Sequence, residues 1–246
     1  MPFESSIFRN ISSMEPLLPA SGRAELADLS LKIFRKSGEL KASLPSKVVR
    51  QQISQLVCEM NSYYSNLIEG HKTLPRDIER ALRQDFSTQD DKRRNQQLSV
   101  AHIKAEQAMR ERLERQPQTD VFSYDFICWL HSEFYSNIPK EEWFTVSEDG
   151  KRFPIEPGKL RDHNVDVGKH IPPDHAALET FIQRYQAVYA DEKLPATDRL
   201  IAIAAAHHRL AWIHPFGDGN GRVARLQSQA ALITAGLDTD GLYTLS

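Results

Sequence analysis

Cysteine is almost missing from this sequence: Cys58 and Cys128 are its two copies, 70 positions apart in apolar surroundings. That excludes a disulfide-stapled scaffold and points to free buried thiols in a reducing, cytoplasmic compartment. No apolar run approaches the ~20 residues of a membrane span. The opening residues MPFESSIFRN carry no basic stretch followed by an apolar one, so no signal peptide is expected. A dominant charge sign is lacking too. The net charge of −2 leaves no broad basic footprint for nucleic acid. Glycine is scarce, 11 in 246 residues, which makes its local concentrations informative. What remains is an ordinary globular balance of 40% hydrophobic and 26% charged residues, in a chain long enough to bury a core.

The periodicity is mostly helical, and the fold class expected is all-α: a helical bundle carrying one short β-hairpin. Helices are expected over about Ser21–Lys41, Ser46–Glu69, Pro75–Phe86, Arg93–Arg115, Ser123–Ser136, Asp174–Ala190, Ala196–Trp212 and Asn220–Thr234. Ser21 reads as the first N-cap. On the second helix the apolar stripe Val49, Ile53, Leu56, Val57, Met60, Tyr64, Leu67 and Ile68 reads as its inward face. Gly70 suits the position just past that helix and Gly236 the end of the last one. One stretch departs from this pattern. Between Asn137 and Pro173 lie five prolines and three glycines, and LRDHNVDVGKHIPP alternates at Val165, Val167 and Lys169. The hairpin is expected there, in a loop long enough to be functional.

Three of the glycines fall within five residues, in AWIHPFGDGNGRVARLQ. Gly219-Asn220-Gly221 forms the entry to a helix, where bare backbone lets a ligand approach. The first helical amides lack internal partners and sit at the positive end of the dipole, which makes an anion site. Arg222 and Arg225 share one helical face and suit an elongated polyphosphate. Asp218 would repel phosphate unless a divalent cation lay between, and one carboxylate with phosphate oxygens is a common Mg²⁺ environment. His214, near its reference pKa of ~6.5, is a candidate base. The residues together describe a site for a Mg²⁺-bound nucleoside polyphosphate and a hydroxyl to be activated. Phe216 and Ile213 read as core anchors.

HPFGDGNGRVAR resembles the signature of Fic-domain proteins, His-Pro-Phe-x-(Asp/Glu)-Gly-Asn-Gly-Arg-x-x-Arg, at every specified position. HHRLAWI resembles the helix leading into it, FICWLHSEFY the family's first core helix, and EPGKLRDHNVDVGKHIPP its flap. The resemblance spans roughly residues 50–246. It implies a Fic-like helical bundle that moves AMP from ATP to a Tyr, Thr or Ser hydroxyl of a target protein. On that basis His214 is the base and Asp218 holds Mg²⁺. Gly219, Asn220, Gly221 and Arg222 hold the inner phosphates, and Arg225 the γ-phosphate. The flap, about 157–173, takes the target through Val165, Val167, Ile171 and Pro172.

A second stretch, YYSNLIEG, resembles the family's inhibitory motif (Ser/Thr)-x-x-x-Glu-(Gly/Asn), here at Ser65, Glu69 and Gly70. It implies a Glu69–Arg225 ion pair that fills the γ-phosphate position. In some relatives the same glutamate helps water remove AMP from the target, so the reverse reaction stays open. Another phosphate-group transfer and a non-enzymatic regulator or toxin–antitoxin partner stay open as well. The expected layout is an N-terminal helical region, 1–92, carrying the inhibitory helix, and a catalytic core, 93–246. Relatives complete the adenine pocket with a later helix, so base preference is not readable, Tyr243 is left unassigned, and residue 246 need not be a natural terminus. A homodimer is neither indicated nor excluded.

Overall fold

The computed structural model describes residues 9–44, 46–146, 150–190, 193–237 and 239–244. Among these are eight α-helices: α1 (Arg23–Ser43), α2 (Lys47–Ile68), α3 (Pro75–Leu82), α4 (Asp90–Arg115), α5 (Tyr124–Ser136), α6 (Leu178–Tyr189), α7 (Ala196–Ile213) and α8 (Asn220–Thr234). Local chemistry accounts for their ends. Ser46 and Ser123 cap α2 and α5 by accepting from the amides of Val49 and Phe126. Pro75 opens α3, where a missing amide costs nothing. Gly236, at φ 74°, follows α8. Ser21 does not cap α1; Gly22 does, in the left-handed conformation and without a side-chain bond. The helix expected from Asp174 begins as a 3₁₀ turn, His175–Ala177, which Asp174 caps, before α6 proper.

One apolar core runs from Met14 and Leu17 through α4–α8 to Leu237. Phe126, Phe134, Phe181, Tyr185 and Phe216 are its largest fully buried side chains. α8 lies in the middle, packed against α7, α4, α5 and α2. Its burial is nearly all-round, and only Gly221, Arg225, Ile233 and Thr234 keep partial exposure. No described helix is long and apolar enough to cross a membrane.

Two expectations fail. The hairpin is not built on Val165 and Val167. It pairs β1 (Phe144–Val146) with β2 (Arg152–Pro154), antiparallel, with Thr145 opposite Phe153. Over 157–173 the pairing shrinks to one bridge, Val167 with His170, because Gly168 turns the chain at once and Pro172 and Pro173 have no amides to extend a ladder. The inward face of α2 is also misassigned. Cys58, Asn61, Ser62, Ser65 and Asn66 are buried, while Val49, Leu56, Tyr64 and Ile68 are exposed. Polar partners on α4 and α8 decide this: Ser62 Oγ donates to the Ser99 carbonyl (2.8 Å) and Asn61 Nδ2 to the buried Glu106 carboxylate (3.3 Å), which also accepts from Gln229 (2.6 Å).

Candidate functional site

The quoted turn joins α7 to α8. His214 ends α7 in a left-handed conformation, φ 51° and ψ 61°, a strained choice for a residue other than glycine. Its backbone carbonyl accepts from Arg161 Nε at 2.9 Å. Its ring hydrogen-bonds the Ala211 backbone, and burial holds the imidazole down to about 4 in spite of that bond. It is therefore neutral near pH 7, with the second ring nitrogen left as a proton acceptor.

Asp218 comes next. Burial pushes its carboxyl up, but the Arg222 guanidinium, the Tyr135 hydroxyl and the Gly219 amide outweigh this and bring it below the usual carboxylate range. Tyr135 donates to Oδ2 at 2.7 Å, and half the side chain still meets solvent. Its backbone carbonyl faces His131 Nε2 at 3.2 Å. Gly219, at φ 76°, is the N-cap of α8 and offers no side-chain cap, so the first-turn amides keep their outward potential. A Cβ on Gly219 would press on the Tyr135 ring at 3.2 Å.

Asn220 shapes the turn. Its side chain is buried, with Nδ2 donating to the Phe216 carbonyl (2.8 Å) and Oδ1 accepting from the Phe216 amide (2.9 Å). Both ends thus bond the Phe216 backbone and fix the shape of the turn. Arg222 is 3% exposed and lies over the Phe134 ring at 5.0 Å. Among the described residues its Nε and Nη1 have no hydrogen-bond partner, and Asp218 Oδ2 is 3.8 Å from Nη1. A buried guanidinium short of acceptors is a standing attraction for an anion.

Arg225 is held differently. Nη2 donates to Glu69 Oε1 at 2.6 Å and to the Ser65 carbonyl at 3.1 Å, and Nε donates to Ser65 Oγ at 2.8 Å. Gly221 makes this pairing feasible. A Cβ there would collide with the Glu69 carboxylate, so the acid lies directly against the start of α8. Gly70, at φ 84°, ends α2 beside it.

Of the expected target-binding residues, Val167 (37%) and Ile171 (38%) are exposed, Val165 is half-buried and Pro172 is buried. Pro172 and Pro173 are buried at the base of the segment. Three residues that organise the site escaped the sequence reading: His131, Tyr135 and Arg161. A signal existed for the first two. They are the polar-tipped aromatics of a helix otherwise apolar on that side, spaced four apart so that both point at one place.

A helical body with one short hairpin thus places a helix start without a side-chain cap, flanked by Arg222 and Arg225, at its centre. Residues 121–232 match the model of the Fic/DOC family, and this part of the chain is a Fic domain. Over 83 residues, 34% of this chain, it is 41% identical to the protein adenylyltransferase Fic of Drosophila erecta and that of Drosophila melanogaster. The match spans 17% of each of those proteins. Among solved structures, Fic-1 from C. elegans superposes with a TM-score of 0.66 at 19% identity, covering 87% of this chain and 60% of that one. A Fic family protein from Desulfovibrio desulfuricans G20 gives 0.61 at 15% identity, covering 90% and 62%. These structures establish the likeness of fold.

Proposed function

We propose that this chain is a protein adenylyltransferase, moving AMP from ATP to a hydroxyl of a target protein, and that Glu69 restrains it. The observation that carries this reading is the buried Arg222, with two nitrogens lacking acceptors, beside a neutral His214 and an ionised Asp218 at an uncapped helix start. His214 takes the proton of the target hydroxyl. The freed oxygen bonds to the α-phosphorus, the bond from that phosphorus to its bridging oxygen breaks, and pyrophosphate leaves. Arg222, Arg225 and the first amides of α8 carry the phosphate charge, and positioning with charge neutralisation supplies most of the rate.

The donor set also fits Mg²⁺. Asp218 is a lone ionised carboxylate, half open to solvent, with Tyr135 on one oxygen, and among the described residues no three acidic, His or Cys side chains converge. That suits an ion completed by phosphate oxygens and water rather than an all-protein cage. When bound, Mg²⁺ would screen phosphate from Asp218 and draw charge from the leaving group.

The restraint follows from the Glu69–Arg225 pair, which occupies the cation meant for the outermost phosphate. The chain is incubated with Mg-ATP labelled at either the α or the γ position, as wild type and as Glu69→Gly, and modified proteins are read by mass spectrometry. A several-fold rise in α-label transfer by Glu69→Gly is expected. Transfer of the γ-label instead would replace the reading with a kinase-like reaction, and equal labelling would remove Glu69 as the restraint.

A further inference from the structure

We propose that His131 and Arg161 are positioning residues that join the 157–173 segment and the 214–221 turn into one rigid unit, so that target and base move together. The inference deepens the adenylyltransferase reading and rests on it for its kinetic part.

Each residue is a buried strut with one end on either loop. His131 is 1% exposed on α5. Its Nδ1 accepts from the Gly158 amide at 2.9 Å, so the ring proton sits on Nε2, which donates to the Asp218 carbonyl at 3.2 Å. The ring stacks on Phe216, centroids 4.0 Å apart and 13° from parallel, so it can neither tilt nor flip without disturbing the turn. The backbone at Gly158 leaves no room for change either: a Cβ there would meet the Cys128 carbonyl at 3.1 Å and Ser132 at 3.2 Å.

Arg161 works from the other side and is 5% exposed. Its amide donates to the Pro215 carbonyl (3.0 Å) and its Nε to the His214 carbonyl (2.9 Å). Nη1 donates to the His163 carbonyl (2.8 Å) and Nη2 to the Pro173 carbonyl (2.5 Å). Those last two carbonyls bracket Val165–Ile171, the exposed part of the segment. One guanidinium thus sets the distance from the strained His214 backbone to both ends of the surface that would present a target. A fork of N–H donors onto carbonyls fixes angles as well as distances, which apolar packing would not. Reacting groups displaced by about 1 Å lose on the order of 100-fold in rate.

The test uses the full chain carrying Glu69→Gly, with Arg161→Lys, Arg161→Met, His131→Gln and His131→Phe added singly. Arg161→Met and His131→Phe should lower kcat by about 30- to 100-fold, with KM for ATP changed less than about threefold. His131→Gln, whose amide can accept and donate, should recover a good part of that loss. Hydrogen exchange should rise together in peptides from 157–173 and 214–221 in the Met and Phe variants, and stay unchanged in α4. Unchanged kcat in folded variants, a loss wholly in ATP affinity, or faster exchange in only one of the two segments would overturn the proposal. Lack of labelling by the Glu69→Gly parent would instead tell against the adenylyltransferase reading, and the exchange data would still decide whether the two loops form one unit. Arg161→Lys keeps the charge, so exchange and kcat that match Arg161→Met show that fork geometry matters; wild-type values would count against it.

Discussion

The turn that opens α8 and the helix α2, which meets α8 at Arg225, are anchored differently. In the turn, backbone groups are tied from several sides: Phe216 by Asn220, Asp218 by His131, and His214 and Pro215 by Arg161. α2 is seated by a polar face, with five polar or small side chains buried and several large apolar ones left outside. Hydrogen-bonded interfaces contribute modest net stability, about 1 kcal/mol per bond, because water offers the same bonds on release. The turn has bonds of the same kind but is also anchored in the apolar core by Ile213 and Phe216, both fully buried, and apolar burial has no such alternative. On the proposed reading, the difference suits machinery that stays fixed and a restraint that comes off.

Four measurements break or sharpen that contrast. His214→Ala, in the Glu69→Gly background, should lower AMP transfer by at least about 100-fold in a labelling assay, the usual scale for a lost general base. A smaller loss would leave the turn without its base. Asn220→Ala removes both bonds to the Phe216 backbone, leaving buried groups unpaired at about 1–3 kcal/mol. Thermal unfolding should then fall by about 2–12 °C, and an unshifted midpoint would mean the turn holds its shape without Asn220.

His102, on α4 and in the charge field of Arg222 and Arg225, tests the ground beneath both regions. It is 2% exposed, with neither ring nitrogen partnered among the described residues, and burial and then those cations hold it down to about 3. Its folded pKa lies below the unfolded value of ~6.5. Its contribution is therefore complete above that pH and is lost as pH falls from there toward 3. Urea unfolding at pH 8 and pH 5 should show about 2 kcal/mol less acid loss in His102→Leu than in wild type. The smallest effect is expected from Ser62→Leu, which forces an apolar side chain into the polar seat of α2 at a cost of about 1–3 kcal/mol. With Glu69 intact, labelling should rise about fivefold. No rise would mean that α2 is held by more than its polar face.

The helices were legible because their ends carry explicit chemistry, as at Ser46, Pro75, Ser123 and Gly236. The turn at the start of α8 was legible because glycines, an acid and two arginines crowd one helix start, and the Glu69–Arg225 contact followed from the resemblance. The hairpin was misplaced because its strands are three residues each, too short to show alternation, whereas HNVDVGKH alternates and yet makes a single bridge. The face of α2 was misread because hydrophobic periodicity assumes an apolar partner, and this helix meets Glu106, Ser99 and Arg225. Arg161 was invisible because its partners are carbonyls, which every residue has.

Gly221 has a consequence for how the chain would respond to nucleotide. The missing Cβ lets the Glu69 carboxylate rest against the helix start, so on the proposed reading the protein carries its own tethered competitor. A tethered group competes at an effective concentration in the millimolar range or above, set by the tether rather than by the site. The apparent Kd for ATP would be the intrinsic value divided by the fraction of molecules with α2 displaced. The stability of one helix would then set the nucleotide level at which the chain begins to act, and that threshold could shift without any change to the residues that touch the nucleotide.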